Sequence, residues 1–288
     1  MKHPSISEWE SKGNFLSSKD SIFYIDENPS EKTVLLVLHG YPTSSYDYHH
    51  ILGHLAADHR VIIPDFLGFG LSSKPYDHQY LLSDQADLIE QLMTSIGVSS
   101  CHIIAHDYGT SVFTELLARQ NDDVLSFKIE HATLSNGSML IHLSQLRTIQ
   151  KLLKHPITGP IVALLSSRGI FLKNMRNIWY DQSLFDEDEI VTHWNLLCHN
   201  GGKKNLPRIT RYINQRYENY DRWIGALKAT HIPIHLIWAE NDPVAIIDMA
   251  PELKSLLSNS KLTTMPNCGH YPMIEQAEIW VSRVLSKL

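Results

Sequence analysis

The sequence lacks an excess of positive charge. Its 288 residues include 25 lysines and arginines against 31 aspartates and glutamates, which gives a net charge of −6 with histidine neutral. This balance excludes the electrostatic footprint of a nucleic-acid-binding protein or of a basic protein that adheres to membranes. We therefore expect no nucleic-acid partner.

Long apolar runs and cysteines are also few. The longest uninterrupted apolar runs, such as Val34–Leu38, are one strand long, so no membrane span is expected. Cys101, Cys198 and Cys268 are an odd number without a CxxC pair, and residues 1–13 contain no apolar signal segment. These absences predict a reduced, cytoplasmic protein.

The chain does contain enough apolar residues, 43%, for a folded core. Near-continuous apolar runs alternate with amphipathic stretches, which is typical of an α/β fold whose mostly parallel sheet carries helices on both faces. The predicted strands are a hairpin of Phe15–Ser18 and Ser21–Ile25, then Thr33–Leu38, Val61–Asp65, Cys101–Ala105, Phe127–Leu134, Ile232–Trp238 and Lys261–Met265. The predicted helices are Tyr46–Ala57, Leu82–Ile96, Thr110–Arg119, Ala245–Leu257 and Met273–Leu285.

The alternation stops between Gly137 and about Trp223, where the pattern is mostly helical. We interpret residues 1–136 and 226–288 as an α/β core and residues 137–225 as an inserted helical cap. Ligands bind at the C-terminal ends of the strands in open α/β sheets, so the cap is expected to lie over those ends.

A predicted strand-to-helix turn carries the first candidate catalytic residue. The segment Ala105–Gly109 reads Ala-His-Asp-Tyr-Gly and lies between a buried strand and a helix. Small residues two positions before and after the centre let such a turn close and expose the central side chain, here Asp107. The helix dipole favours the carboxylate form of that side chain. Taken alone, Asp107 is equally compatible with a helix N-cap.

Two further segments argue against a simple N-cap. Asp242, in WAENDP, follows one predicted strand, and His270, in NCGHYP, follows the last one. A nucleophile, an acid and a histidine in this chain order, each after a strand, form the triad of the α/β-hydrolase fold. We therefore predict Asp107, Asp242 and His270 as catalytic residues. His270 must be neutral to act as a base, which its ordinary pKa of about 6.5 allows.

The loop HGYP after the first buried strand completes the predicted site. Pro42 keeps Tyr41 extended, which suits a backbone N–H that points into the site. The N–H groups of Tyr41 and Tyr108 are predicted to form an oxyanion hole. Three neighbours are expected to shape the site rather than react: His39, Gly40 and His106.

The motifs HGYP, DFLGFGLSSKP, HDYG, the Asp242 loop and GHYP resemble those of the α/β-hydrolase branch that contains epoxide hydrolases and haloalkane dehalogenases. Within it, HGYPTSSYD at 39–47, LSNG at 134–137 and YINQR at 212–216 are similar to hydrolases related to the mesoderm-specific transcript protein. The resemblance implies an α/β-hydrolase fold with an inserted cap. We expect no cofactor.

An aspartate nucleophile restricts the reaction class. Carboxylate attack on an ester carbonyl gives an anhydride, whereas attack on an sp³ carbon that bears oxygen or halide gives a stable alkyl ester. A water deprotonated by His270 would then hydrolyse that ester, while Asp242 orients the imidazolium. We predict hydrolysis of a small apolar electrophile, in the first place an epoxide to a diol. The alternatives are haloalkane dehalogenation, β-lactone decarboxylation and, in another class, a catalytically silent ligand-binding protein.

The resemblance also suggests how the leaving group is handled. Dehalogenases of this branch hold the halide with a Trp after the nucleophile and a second Trp or Asn. Here Tyr108 and Tyr41 stand at those positions, which disfavours halide unless Asn136 or Trp179 substitutes. Epoxide hydrolases of the branch donate a proton from cap tyrosines, and the candidates here are Tyr180 and Tyr212.

The 17 histidines suggest metal binding as an alternative. His50 and His54 are four residues apart on a predicted helix, with His49 and His59 nearby, and such a pair can bind zinc. A third ligand and an HExxH-type acid are absent from the local sequence. We therefore expect surface histidines and no metal.

Three other patterns imitate known sites. Gly68 and Gly70 lack the third glycine of a dinucleotide-binding loop. Ser135 is not followed directly by a helical run, and Cys268 lacks a strand-to-helix turn, so neither is expected to be the nucleophile.

Overall fold

Eight strands form one sheet in the computed structural model, which describes residues 3–16 and 19–287. They are β1 (Gly13–Leu16), β2 (Ile22–Glu27), β3 (Val34–Leu38), β4 (Arg60–Pro64), β5 (Ser100–His106), β6 (Lys128–Ser135), β7 (Ile234–Ala239) and β8 (Ser260–Met265). Their order is β1-β2-β4-β3-β5-β6-β7-β8. Strands β3 to β8 are parallel, whereas the hairpin β1–β2 and the pair β2–β4 are antiparallel.

Helices cover both faces of this sheet, since α3 and α11 each pack against α4 and α2 packs against α14. The helices are α1 (Ile6–Glu10), α2 (Leu52–Leu55), α3 (Leu82–Ser95), α4 (Tyr108–Asn121), α5 (Thr148–Leu153), α6 (Thr158–Leu165), α7 (Arg168–Arg176), α8 (Glu187–Cys198), α9 (Leu206–Ile209), α10 (Tyr212–Glu218), α11 (Tyr220–Ala229), α12 (Met249–Leu256), α13 (Pro272–Glu275) and α14 (Ala277–Leu285). Within the described ranges, no helix has the length and apolar character needed to cross a membrane.

The central strands explain why the core forms where it does. All five residues of β3 are buried, and Ile103 to Ala105 of β5 are fully buried. Continuous apolar strands suit a parallel sheet that is covered on both faces, as the sequence predicts. The C-terminal ends of β3, β5, β7 and β8 lie along one edge, and the candidate site residues follow these ends.

Most predicted elements are present with shifted ends, but three predictions need correction. The helix predicted at Met273–Leu285 is divided into α13 and α14 at Gln276, whose backbone is not helical. The first hairpin strand, predicted at Phe15–Ser18, is Gly13–Leu16, and residues 17 and 18 lie outside the described residues. The helix predicted at Tyr46–Ala57 is instead a 3-10 turn, Ser45–Tyr48, followed by the short α2. The Tyr46 hydroxyl donates to the Pro4 carbonyl and the Tyr48 hydroxyl to the Leu38 carbonyl, so tertiary contacts override the helical pattern.

The chain between β6 and β7, residues 136–233, is called the insertion below. It contains helices α5 to α11 and no strand among the described residues. Helix α11 packs against α4, and the predicted cap boundary at residue 225 falls within this helix. The sequence pattern does not mark this boundary because α11 continues the helical pattern of the insertion.

Candidate active site

Asp107 lies in a strained turn between β5 and α4. Its backbone has φ 41° and ψ −106°, a conformation that is rare for a residue with a side chain and that often accompanies function. Gly109 permits the turn, because a Cβ there would lie 2.5 Å from the Leu38 carbonyl oxygen. The Asp107 carboxylate makes no capping hydrogen bond to its helix. Instead, Oδ2 accepts the Tyr41 N–H at 3.1 Å.

Asp242 and His270 form a hydrogen-bonded pair at the ends of β7 and β8. His270 Nδ1 lies 2.8 Å from Asp242 Oδ2. The same carboxylate accepts the side-chain N–H of Asn136 at 2.8 Å and the Val244 N–H at 2.7 Å. The backbone N–H of His270 donates to the Ile178 carbonyl of the insertion at 2.9 Å. Both the ring and the backbone of His270 are therefore fixed.

Neighbouring carboxylates change the charge of His270. Burial by itself lowers the pKa of His270, but the charge and hydrogen bond of Asp242, followed by the charge of Asp107, outweigh it and raise this pKa to about 9. From the sequence alone, we expect an ordinary pKa for this histidine. In the free protein the imidazole is protonated at neutral pH, which is a consequence of charges that meet only in the folded chain.

The predicted oxyanion donors lie beside the candidate nucleophile. The Tyr41 N–H already contacts Asp107 Oδ2, as described above. Tyr108 begins α4, and first-turn N–H groups have no partner within their own helix. The Tyr41 N–H thus points at the Asp107 carboxylate and the Tyr108 N–H is not used by its own helix, and the oxyanion role of both groups stays a prediction.

The residues predicted to shape the site hold its loops together. His39 Nδ1 donates to the Gly40 carbonyl at 2.8 Å, and His39 Nε2 accepts the Phe66 N–H at 3.1 Å. His106 Nε2 donates to the His270 carbonyl at 2.8 Å. Burial lowers the pKa of His106 to about 4, so it is neutral. A Cβ at Gly40 would lie 2.7 Å from His106 Nδ1, which explains the glycine.

Arg216 is a site residue that the sequence argument missed. Its guanidinium is buried, with Nη2 3.7 Å from Asp107 Oδ1 and Nε donating to Ser111 Oγ at 2.8 Å. It also lies over the ring of Tyr212, 4.6 Å from the centroid. Tyr212 and Arg216 are four residues apart on α10, and that pairing in YINQR is the signal that could have drawn attention to the arginine.

The two tyrosines predicted as proton donors have different positions. Tyr212 is buried, its ring lies against those of Tyr41 and Tyr108, and its hydroxyl accepts the side-chain N–H of Gln150 at 3.4 Å. Neither tyrosine is among the residues that line the cavity described below, but Tyr212 lies directly behind two that do, Tyr41 and Gln150. The Tyr180 side chain is 46% exposed and, among the described residues, has no such contact with the lining, so its position does not support a role as proton donor.

The residues considered as halide ligands are engaged elsewhere. Asn136 donates to Asp242 and accepts the Ala239 N–H. Trp179 stacks on Tyr271, and although its buried indole N–H has no hydrogen-bond partner among the described residues, it is not part of the cavity lining. The halide role suggested for either residue has no support from these contacts. A different tryptophan, Trp194 of α8, lines the cavity.

The patterns set aside in the sequence have structural roles. Ser135 Oγ accepts the Trp280 indole N–H, and burial raises the pKa of the Cys268 thiol. A Cβ at Gly70 would lie 2.0 Å from Asp65 Oδ2, the oxygen that accepts the Leu71 N–H. The glycine loop therefore wraps around an aspartate rather than presenting its N–H groups to a phosphate.

A cavity of about 800 Å³, partly open to solvent, contains the candidate nucleophile and base. Asp107 and His270 both line it, and most of its remaining wall is apolar. The apolar residues of this wall come mainly from the insertion and include Ile149, Leu153, Ile170, Phe171, Met175, Ile178, Trp194, Leu197 and Leu206. The lining is typical of a site for a small apolar ligand.

A mostly parallel sheet with Asp107, Asp242 and His270 after three of its strands is the arrangement of an α/β hydrolase. The chain belongs to the alpha/beta hydrolase family, which it matches over residues 34–283. It is 36% identical to the putative hydrolase LipZ of Mycobacterium tuberculosis over 288 residues, covering 100% of this chain and 99% of that protein.

Two further similarities cover almost the whole chain. The mesoderm-specific transcript homolog protein of Homo sapiens is 34% identical over 282 residues, covering 94% of this chain and 84% of that protein. The solved structure of the epoxide hydrolase CorEH aligns with a TM-score of 0.78 and 18% identity, covering 95% of this chain and 97% of that one. At 18% identity, the similarity to CorEH shows that the two proteins share a fold.

Proposed function

We propose that this hydrolase opens an epoxide through a covalent ester on Asp107. The observation that carries the proposal is a carboxylate at the strained turn, with the Tyr41 N–H on its Oδ2 and an apolar cavity in front of it. A carboxylate at this position forms a useful intermediate with an sp³ carbon and not with an ester carbonyl. The fold likeness to an epoxide hydrolase agrees with this choice.

In the proposed first step, an Asp107 oxygen bonds to an epoxide carbon and the ring C–O bond breaks. The Tyr212 hydroxyl gives its proton to the opening oxygen. Two observations support this role. The Tyr212 side chain is buried beside Tyr41, and its hydroxyl contacts Gln150, which lines the cavity. The positive Arg216, behind Asp107, holds the carboxylate in place.

In the proposed second step, His270 takes a proton from water, and the hydroxide attacks the ester carbonyl of Asp107. The N–H groups of Tyr41 and Tyr108 stabilise the resulting oxyanion. The ester C–O bond breaks, the leaving alkoxide takes the proton from His270, and the proton left on Asp107 returns to Tyr212. Esterification removes the negative charge of Asp107, which lowers the pKa of His270, although the larger contribution of Asp242 remains. His270 therefore releases its proton to solvent after the ester forms, before it takes one from the attacking water.

The insertion acts as the cap of this site in our proposal. Its support is that α5, α7 and α8 supply most of the apolar cavity wall. An apolar wall favours a small neutral substrate and keeps bulk water from the ester.

Trapping of the ester tests the proposal. His270→Gln removes the base, so the ester on Asp107 should accumulate when the variant is incubated with a panel of epoxides and haloalkanes. Mass spectrometry of the peptide that contains Asp107 detects the adduct, and product analysis of the wild type detects diol or halide. The exposed His142 provides a matched control, because His142→Gln should turn over like the wild type and accumulate nothing.

Each outcome has a separate meaning. An adduct on Asp107 together with diol release supports epoxide hydrolysis. Halide release without diol formation replaces it with dehalogenation. No adduct in the His270 variant and no product from the wild type would sink the enzymatic proposal and leave a ligand-binding protein.

A further inference from the structure

A second group of polar side chains lies away from the cavity, where three parts of the chain meet. His3 comes from the N-terminal segment, His49 and His50 follow the 3-10 turn Ser45–Tyr48, and Glu189 lies in the first turn of α8. One ligand atom from each of the four lies within 4.8 Å of the others. Glu189 is buried, 3% exposed, and its Oε1 lies 3.2 Å from His50 Nε2 and 3.6 Å from His49 Nε2 without a well-aligned hydrogen bond to either.

The hydrogen bonds of two histidines leave their other nitrogens facing one another. His49 Nδ1 lies 2.8 Å from the Tyr46 carbonyl oxygen, so this nitrogen carries the proton and Nε2 has a free lone pair. His3 Nε2 lies 2.9 Å from Asp186 Oδ2 and is likewise a donor, which leaves the lone pair on Nδ1. The two lone-pair nitrogens are 3.2 Å apart. Two lone pairs in this arrangement repel one another unless a proton or a metal ion lies between them.

Three of the separations between ligand atoms are close to those around a small metal ion with four ligands, and all of them are within 4.8 Å. Tetrahedral zinc with bonds of about 2.0–2.1 Å has ligand atoms roughly 3.3–3.4 Å apart. The observed separations are 3.2 Å for His3 Nδ1 to His49 Nε2, 3.6 Å for His49 Nε2 to Glu189 Oε1 and 3.2 Å for His50 Nε2 to Glu189 Oε1. Carboxylate and carbonyl partners behind ligating histidines, here Asp186 and the Tyr46 carbonyl, are usual at metal sites.

The N-terminal histidine is held in this position by independent contacts. The Pro4 carbonyl accepts the Tyr46 hydroxyl at 2.6 Å, and the indole N–H of Trp9 donates to Ser45 Oγ at 3.1 Å. The N-terminal segment is thus fastened to the same turn that supplies His49 and His50. The ligands are in place before any ion binds, which lowers the entropic cost of binding.

We propose that His3, His49, His50 and Glu189 bind a zinc ion that ties the insertion to the core. Three imidazoles and one carboxylate in a tetrahedral arrangement suit Zn²⁺ among the common divalent ions. Helix α8, which contributes Glu189, also supplies Trp194 and Leu197 to the cavity wall. The ion would therefore fix one wall of the cavity without touching the reacting groups.

The sequence argument expected no metal because it considered His50 with His54. His54 is exposed and lies outside the group. The remaining ligands, His3 and Glu189, are far away in the sequence, so local spacing does not reveal the site. This proposal differs from that expectation and does not depend on the proposed reaction.

Zinc titration of the metal-stripped protein tests the proposal. We expect about one zinc ion per chain by elemental analysis after dialysis, and a rise in melting temperature of about 5 °C or more at a zinc concentration about 100 times Kd. His50→Ala and Glu189→Gln should each weaken zinc binding at least about tenfold. The His50 side chain is 25% exposed, so His50→Ala should fold even if the Glu189 variant does not.

Matched controls come from the same elements. His54→Ala and Glu187→Gln change exposed residues beside the site and should bind zinc like the wild type. Binding of Co²⁺ with the visible absorption of a four-coordinate ion would support the ligand set. Failure of the wild type to retain zinc, or equal retention by His50→Ala and His54→Ala, would overturn the proposal. Hydrogen bonds among the histidines, without a metal ion, would then explain why these four side chains lie together.

Discussion

His270 carries a proton in the free protein at neutral pH, because two carboxylates contribute more than burial removes. Asp242 lies after β7 and Asp107 after β5, so these charges come together only when the sheet forms. The identity and place of His270 could be predicted from the chain order of the triad. Its protonation state could not, since it depends on three-dimensional distances.

The pH dependence of stability tests this charge state. A histidine whose pKa is raised by folding stabilises the fold fully below its ordinary pKa of about 6.5, and this contribution is lost as the pH rises through about 9. Between about pH 6 and about pH 10, we expect the wild type to lose about 3 kcal/mol of unfolding free energy relative to His270→Gln. Urea denaturation of both proteins measures the difference. Parallel pH curves would show that the imidazole is not charged.

Arg216 gives a second prediction at the scale of single residues. Its guanidinium lies 3.7 Å from Asp107 Oδ1, where it can hold the carboxylate for attack. We expect Arg216→Met to slow ester formation about 10- to 100-fold and Arg216→Lys to restore part of the rate. Single-turnover trapping separates ester formation from its hydrolysis. A general loss of structure would slow both steps alike and would not be rescued by lysine.

At the scale of elements, the strand-to-helix turn could be predicted because its requirements are local. Asp107 and its small neighbours occur within five residues, and the buried strand and amphipathic helix flank them directly. The contacts of Glu189 and Arg216 could not be predicted, because each pairs with residues from other elements of the fold. The helix expected at Tyr46–Ala57 failed for the same reason, since tertiary hydrogen bonds set that backbone.

Two helical glycines provide a matched test of the turn. A Cβ at position 109 would meet the Leu38 carbonyl oxygen at 2.5 Å, whereas a Cβ at position 225 would meet nothing within 4 Å. Gly109→Ala should therefore destabilise the fold by about 1–3 kcal/mol. Gly225→Ala, in the interior of α11, should stabilise it by up to about 1 kcal/mol. Thermal and urea denaturation compare the two, and similar values for both would argue against close packing of β3 on α4.

At the scale of the whole molecule, Glu275 joins the insertion to the core. Its carboxylate accepts the N–H groups of Tyr180 at 2.9 Å, Gly269 at 3.1 Å and Tyr271 at 3.3 Å. Burial raises the pKa of Glu275 to about 7, although these hydrogen bonds favour the charged form. The junction between the two parts therefore changes charge close to neutral pH.

Replacement of this carboxyl should alter the pH response of the fold. Because folding raises its pKa, Glu275 favours the folded state most below its ordinary pKa of about 4.5, and this contribution is lost as the pH rises through about 7. The Glu275→Gln variant cannot lose this contribution. The unfolding free energy of the variant minus that of the wild type should therefore increase by about 3 kcal/mol from about pH 4.5 to about pH 8. Urea denaturation measures it, with the exposed Glu278→Gln as control. A constant difference would contradict the raised pKa.

The hydrogen bond from the backbone N–H of His270 to the Ile178 carbonyl means that the insertion is not easily exchanged between relatives as a separate module. A chimera that takes residues 136–233 from one relative and the GHYP loop from another joins two backbones that were selected separately. Any offset at Ile178 moves the imidazole itself, even when the triad side chains are all present. Recombination within this family should therefore succeed when both segments come from one parent. New substrate ranges should arise more readily from point substitutions in the cavity wall than from exchange of the whole insertion.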